Sequence, residues 1–284
     1  MSVSAGARVQ RRTSGLSDKA RKRIEITILS LPALIMFLGF VILPVFMAGY
    51  YGFFKWKGYG KPTVNGQFIG FENYKIILTD PNFQQALGHT LFVVVASLVI
   101  QGPLAILFAL LLNQRFKGRA LIRTLIFVPY VVSEVIVGTG WGLILQTTGA
   151  LNALLKKIGL GGADWISDPK IAIWTLMFII SWKYIGFAVI LMIAGMQSIP
   201  EDLYEAAKVD GAGFWRQQWS ITLPLLGPTI RIWAFMSIIG SLQLFDLVYI
   251  IWGQYVSSTA GTSTMATYMV REGRLANNYG YGSA

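Results

Sequence analysis

The 284-residue chain contains no cysteine and a single histidine, His89. The first absence excludes disulfide staples, thiolate zinc sites and cysteine nucleophiles. The second removes zinc sites built on two histidines of one helix face. Charge is scarce as well. Asp, Glu, Lys and Arg make up 13% of the residues, against about 25% in a soluble domain that must keep its surface wet. No glycine-rich G-x-x-x-x-G-K-[ST] phosphate loop occurs, so the chain does not itself hydrolyse ATP. What is abundant is apolar: hydrophobic residues reach 54%, with nine Trp, twelve Tyr and seventeen Phe. Such a chain presents its outer surface to lipid, which excludes an ordinary soluble enzyme and a disordered tail.

The formal net charge of +11 is concentrated rather than spread. Residues 1–23 carry Arg8, Arg11, Arg12, Lys19, Arg21, Lys22 and Arg23 against Asp18 alone. A basic tail directly before a long apolar run is a cytoplasmic anchor beside anionic lipid headgroups. No basic groove with interleaved aromatics follows it, so nucleic acid is not an expected partner. The apolar run at 24–54 is too long for the roughly 7–15-residue core of a cleaved signal peptide.

A bilayer crossing takes about 20 apolar residues, and five stretches are long enough: 24–54, 86–112, 120–146, 171–195 and 225–252. They are continuous, unlike the alternating segments of a β-barrel. The expected fold is therefore all-α, a polytopic helical membrane bundle. Residues 1–23 form its basic tail, and the transmembrane domain at 24–284 includes a cytoplasmic loop at 196–224. Pro32 and Pro44 are expected to kink or end the first span. The compact basic turn 113–119, with Arg115, Lys117 and Arg119, belongs inside the cell. That places the N-terminus and 196–224 inside, and 55–85 and 147–170 outside. Trp56, Tyr59, Trp165 and Trp252, near span ends, are expected in the interfacial aromatic belt.

The loop 200–224 has its own local grammar. Pro200 suits a helix start, and Glu201 and Asp202 complement the positive end of the helix dipole. Leu203, Ala206, Ala207 and Asp210 follow helical spacing, and Gly211 is a natural terminator. A short helix of about three turns results. Ala206 and Ala207 let another protein's backbone approach closely.

Glu205-Ala206-Ala207, then Gly211, then Ile221-Thr222-Leu223-Pro224 resembles the "EAA" loop of permease subunits in binding-protein-dependent ABC importers. Further matches resemble the sugar branch: Ile69-Gly70-Phe71-Glu72-Asn73-Tyr74, Arg123-Thr124-Leu125-Ile126-Phe127-Val128-Pro129, Ile199-Pro200 and Val209-Asp210-Gly211. The resemblance implies a type I ABC importer permease bundle in a bacterial cell membrane. It also implies a coupling helix whose Glu205, Ala206, Ala207, Asp210, Gly211, Leu223 and Pro224 engage a dimeric cytoplasmic ATPase. ATP and Mg then reside on that ATPase, and this chain holds no cofactor or metal. The other implied partners are a second homologous permease, an extracytoplasmic substrate-binding protein, membrane lipid and a carbohydrate, a di- or oligosaccharide. The alternative cargo is a non-sugar solute such as a glycerol phosphate or polyol. Two departures stand out. Gly253-Gln254-Tyr255-Val256 replaces a usual Gly-Gly-Pro element, and no apolar run follows Tyr279-Gly280-Tyr281, where the family carries a final span.

Ionisable residues inside spans are costly and face a bundle interior or a pathway. Along straight helices, Glu134 and Lys183 both sit roughly 18–20 Å above the cytoplasmic ends of their spans. They are expected to face each other, as a structural ion pair or as a gate. Arg231 snorkels at the inner end, and Asp246 lies near the outer end, toward an aqueous vestibule. An enzyme using Glu134 and Asp246 as an acid pair is excluded by a depth difference of about 10 Å or more. A sugar site needs aromatic faces and paired polar groups converging on a cavity. Trp182 and Tyr184 on the fourth span, with Ser237, Ser241 and Gln243 on the fifth, supply both types. Resemblance to maltose-type permeases places contacts at or near Tyr184, Ser237, Ser241 and Leu244.

Overall fold

The computed structural model describes residues 18–114 and 116–284, so most of the basic tail, and Arg115 of the basic turn, lie outside the described residues. Among the described residues the only sheet is one antiparallel pairing, Phe54–Lys55 against Gln67–Phe68; the rest is helix and loop. Four helices here are long and apolar enough to cross a membrane: Lys22–Tyr51, Pro81–Leu112, Ala172–Gln197 and Gly227–Gly253. They correspond to the expected first, second, fourth and fifth spans.

The third span is not the straight helix expected over 120–146. It is two helices, Arg119–Val131 and Glu134–Ile144, bent by 97°. The break is written locally: Val132 and Ser133 are extended, and the Ser133 hydroxyl accepts from the Ile136 amide as an N-cap. A serine followed by a glutamate restarts a helix by satisfying its first free amides and its dipole. Depth counted along a straight helix therefore does not apply to Glu134, although the bend brings Glu134 to the fourth span by another route.

Three of the prolines inside spans follow a widened turn. Pro44, Pro103 and Pro224 each follow a single π turn by two residues, at Leu38–Ile42, Ser97–Gln101 and Gln218–Thr222. Proline offers no amide, and its ring crowds the carbonyl four residues back. A widened turn, in which each donor reaches one residue further, removes that conflict. Thus Leu43, Gly102 and Leu223 donate to Leu38, Ser97 and Gln218. Pro32 lies within the helix Asp18–Phe37.

The fourth span is the axis of the bundle. One apolar cluster packs around Leu176, Ile179, Val93, Leu247, Val248 and Trp252; a second surrounds Ala188, Met192, Ala105, Ala109, Leu226 and Trp233. Gly186 allows the fourth span to touch the backbone of Ile126, where any Cβ would collide with the carbonyl. Trp252 is 2% exposed and donates its indole N–H to Ile166 O at 2.7 Å, so it is a core residue and not a belt residue. The indole of Trp165 donates to Asn152 Oδ1 at 2.9 Å and is likewise partly buried. By contrast, the most apolar stretch of the first span has none of its residues buried against the chain.

The motif at 69–74 has a structural reason. Gly70 takes φ +59°, and the buried Asn73 amide donates to Gly52 O and Phe54 O at 2.8 and 3.1 Å. Tyr74 adds a bond to Gly49 O at 2.7 Å. These contacts fasten the loop to the end of the first span. A second clasp joins Asp80, Tyr268 and Tyr281: both hydroxyls donate to Asp80 Oδ2, at 2.6 and 2.9 Å. Burial alone would raise the Asp80 pKa, but the Tyr268, Asn82, Tyr281 and Phe83 hydrogen bonds outweigh it and hold the carboxyl below its ordinary value.

Candidate functional site

A cavity of about 200 Å³ opens in the middle of the bundle. Four spans contribute: Val93, Ser97 and Gln101 from the second, Tyr130 from the third, Ile180, Tyr184 and Phe187 from the fourth, and Trp233, Met236, Ser237, Gly240, Ser241 and Leu244 from the fifth. Tyr130 and Phe187 stack with ring centres 5.0 Å apart, and Tyr184 stands edge-on to Tyr130. Ser97, Gln101 and Ser241 are buried, yet their side chains make no hydrogen bond among the described residues. Buried polar groups normally have partners, so unpaired ones around a cavity suit a ligand rich in hydroxyls. Among the described residues no lysine, arginine, aspartate or glutamate lines the cavity.

Of the residues expected from sequence, Tyr184, Ser237, Ser241 and Leu244 come together here. Trp182 and Gln243 do not. Trp182 packs edge-to-face on Trp141 and is 39% exposed, because it lies two positions from Tyr184 on a helix of 3.6 residues per turn. Gln243 lies beyond the last helical residue, Leu242, where the fifth span breaks before Asp246; it faces a different cavity with Phe245 and Met265. Leu244 O, freed by that break, accepts from Thr264 Oγ1 at 2.7 Å. Reasoning from sequence missed Ser97, Gln101, Tyr130, Phe187 and Trp233. The available signals were the polar Ser97 and Gln101 in a mostly apolar second span and the aromatic Tyr130 beside Pro129.

Below Tyr184 the intramembrane charges meet differently from expectation. Glu134 and Lys183 make no direct ion pair. Lys183 is 3% exposed, and its ammonium donates to Val132 O at 2.7 Å, the carbonyl released where the third span breaks. Glu134 Oε1 instead accepts from the Tyr184 hydroxyl. The adjacent residues Lys183 and Tyr184 thus hold the two sides of the break, Val132 and Glu134, with Tyr184 between the carboxylate and the cavity. Asp246 is exposed and begins the helix Asp246–Thr259, where its charge complements the dipole. Arg231 is exposed near the start of the fifth span.

The short helix between the fourth and fifth spans runs Glu201–Val209, with Pro200 capping it in an extended conformation and Glu201 and Asp202 in its first turn. Asp210 is its last half-helical residue, and Gly211 follows at φ +72°. The Gly211 amide donates to Lys208 O and the Ala212 amide to Ala207 O at 2.8 Å, a Schellman ending that a left-handed glycine makes possible. No residue of this helix is buried; Glu205 and Ala206 are exposed, and Val209 is 88% exposed. One hydrogen-bonded string ties it to the bundle. Thr222 donates to Gln218 Oε1 at 2.7 Å, so the Tyr204 hydroxyl is the donor to Thr222 at 2.9 Å. Leu223 and Pro224 continue from that point into the fifth span.

The family described as "Binding-protein-dependent transport system inner membrane component" matches residues 101–276. The trehalose/maltose transport system permease protein MalF of Thermococcus litoralis is 32% identical over 258 residues, covering 89% of this chain and 84% of that protein. The arabinooligosaccharides transport system permease protein AraP of Bacillus subtilis is 31% identical, covering 76% of this chain and 70% of its own length. Among solved structures, a bacterial alginate ABC transporter in complex with an alginate pentasaccharide-bound periplasmic protein superposes with a TM-score of 0.80 at 27% identity, covering 94% of this chain and 89% of that one.

Proposed function

The chain belongs to the family of binding-protein-dependent transport system inner membrane components, and from that premise we propose that it is the translocation subunit of an ATP-driven importer of di- or oligosaccharides. It is a multi-pass membrane protein and not itself catalytic. The observation that carries the sugar is the mid-bundle cavity: aromatic faces from Tyr130, Tyr184 and Phe187 opposite unpaired hydroxyl and amide groups of Ser97, Gln101 and Ser241. Relatives that carry maltose, arabinooligosaccharides and alginate support the same class. A glycerol phosphate is disfavoured, because no cation lines the cavity and the nearby Lys183 ammonium is held by Val132 O.

Coupling follows from the short helix Glu201–Val209. Its outward Glu205 and Ala206, with half-buried Ala207, form the surface that seats in a cleft of a dimeric ATPase; ATP and Mg are bound there. The Gly211 ending fixes the helix direction, and the Tyr204–Thr222–Gln218 string passes its displacement to Leu223, Pro224 and the fifth span. The fifth span carries Ser237, Ser241 and Leu244, so a push at the loop reshapes the cavity. On this reading the N-terminus and the loop 196–224 are cytoplasmic. A second homologous permease supplies the other half of the pathway, and an extracytoplasmic binding protein delivers substrate.

The test is ATP-dependent uptake of a panel of labelled oligosaccharides and phosphorylated polyols into proteoliposomes holding the complete complex. Saccharide uptake that is lost in both Tyr184→Ala and Ser241→Leu supports the reading. Uptake of only phosphorylated solutes overturns it.

A further inference from the structure

A second groove, of about 600 Å³, runs between the first half of the third span and the inner end of the fourth. Its lining is ordered by depth. Arg123, Thr124 and Gln197 lie at the end that carries the basic turn, and Phe127, Val128, Val131, Val132, Ile190, Ile193 and Ala194 lie progressively deeper. From Arg123 to Val132 the helix rises about 13 Å. The groove thus has a cationic, polar mouth at headgroup level and an apolar trough below it, the polarity profile of one phospholipid standing in a leaflet.

The mouth carries uncompensated charge. Arg123 Nη2 donates to Leu112 O at 2.7 Å, its covered Nε finds no acceptor among the described residues, and no carboxylate pairs with it there. Arg119, one turn earlier, adds a second positive charge at the same end. An apolar trough alone fits any hydrocarbon. A guanidinium left without an anion at its mouth selects a negatively charged headgroup. A docked helix from another chain has no need of a polarity gradient that follows the bilayer normal.

We propose that the groove between Arg119–Val131 and Ala172–Gln197 holds one anionic phospholipid of the leaflet facing the basic turn, with its headgroup at Arg123 and an acyl chain along Val128, Val131 and Ile190. The groove shares no lining residue with the mid-bundle cavity, and its occupant is read without any transport measurement. Native mass spectrometry of the purified complex, titrated with phosphatidylglycerol and with phosphatidylcholine of the same chains, measures it. The wild type retains one additional phosphatidylglycerol in preference to phosphatidylcholine. Arg123→Gln lowers that preference about fivefold, the effect of one cation near an anionic surface, and Arg231→Gln leaves it unchanged. Because Arg123 also holds Leu112 O, Val131→Trp is the second variant: it fills the trough, leaves the guanidinium intact and abolishes retention of the lipid. Equal binding of both lipids by the wild type, or unchanged retention in both Arg123→Gln and Val131→Trp, overturns the proposal. So does efficient cross-linking of Val131→Cys, the sole cysteine of such a chain, to the second permease, which would make the groove a protein interface.

Discussion

The mid-bundle cavity and the short helix Glu201–Val209 are built on opposite plans. The cavity exists because four spans converge, and its residues lie up to 151 positions apart, from Val93 to Leu244. The helix is complete within a dozen residues, has no fully buried residue, and is defined by its own start and ending. A region assembled by convergence depends on close packing elsewhere, and a region assembled locally depends on backbone conformation. Mutations should separate the two.

The largest effect is expected at Gly186. Any side chain there meets the Ile126 carbonyl, so Gly186→Leu forces the third and fourth spans apart and costs about 3 kcal/mol by overpacking. Thermal unfolding of the purified protein measures it, and a near-normal midpoint would show that the cavity does not need this contact. Next is Tyr184→Phe, which keeps the ring but removes the donor to Glu134. Leaving a carboxylate without that partner costs about 2 kcal/mol. Saccharide uptake should fall with a raised KM; a change confined to ATPase activity would place Tyr184 with the coupling region instead.

A smaller effect is expected at Gly211. Gly211→Ala meets no neighbour within 4 Å, so only its φ of +72° resists, at about 1 kcal/mol. Uptake and transport-linked ATPase activity should drop together while the unfolding midpoint barely moves. If stability falls as much as for Gly186→Leu, the contrast between local and convergent construction fails. The smallest effect belongs to Asp80, outside both regions. Its folded pKa is held down, so its stabilisation is full above the unfolded value of about 3.9 and is lost as pH falls through the folded one. The Asp80→Asn variant should lack that part of the acid sensitivity, measured by unfolding midpoints between neutral and strongly acid pH.

The same contrast explains what could be read from residues alone. The short helix was legible because Pro200, the acidic first turn and Gly211 each act within a few positions, and the structure places them accordingly. Four spans were legible from apolar length. The break in the third was not, because its apolar run continues through Val131 and Val132, and only Ser133-Glu134 marks the restart. The pairing of Glu134 with Lys183 failed for that reason: the break exposes Val132 O, and a nearby free carbonyl captured the ammonium. Of the residues expected from sequence, Tyr184, Ser237 and Ser241 line the cavity, since a polar side chain in a span is conspicuous, and Leu244 lines it as the resemblance alone implied. Trp182 and Gln243 were misplaced because residue type was weighed without helical phase or the break after Leu242. Gln101 and Ser97 went unread because the second span has no charge to draw attention to them.

The π turns ahead of Pro44, Pro103 and Pro224 make phase a separate variable. Each wide turn slips an extra residue into the coil, and one residue corresponds to about 100° of rotation around the axis. Side chains on either side of Ser97–Gln101 therefore occupy faces that a single helical wheel would not align. Deleting one residue from that turn would restore the ordinary spacing and leave the residues beyond it, including the alanines packed on the fourth span at Ala105 and Ala109, near their present faces. The proline that follows would then press on the carbonyl it now avoids. Length in these spans is thus an angular quantity: one residue that no wide turn absorbs rotates everything beyond it by about 100°, a little over a quarter turn.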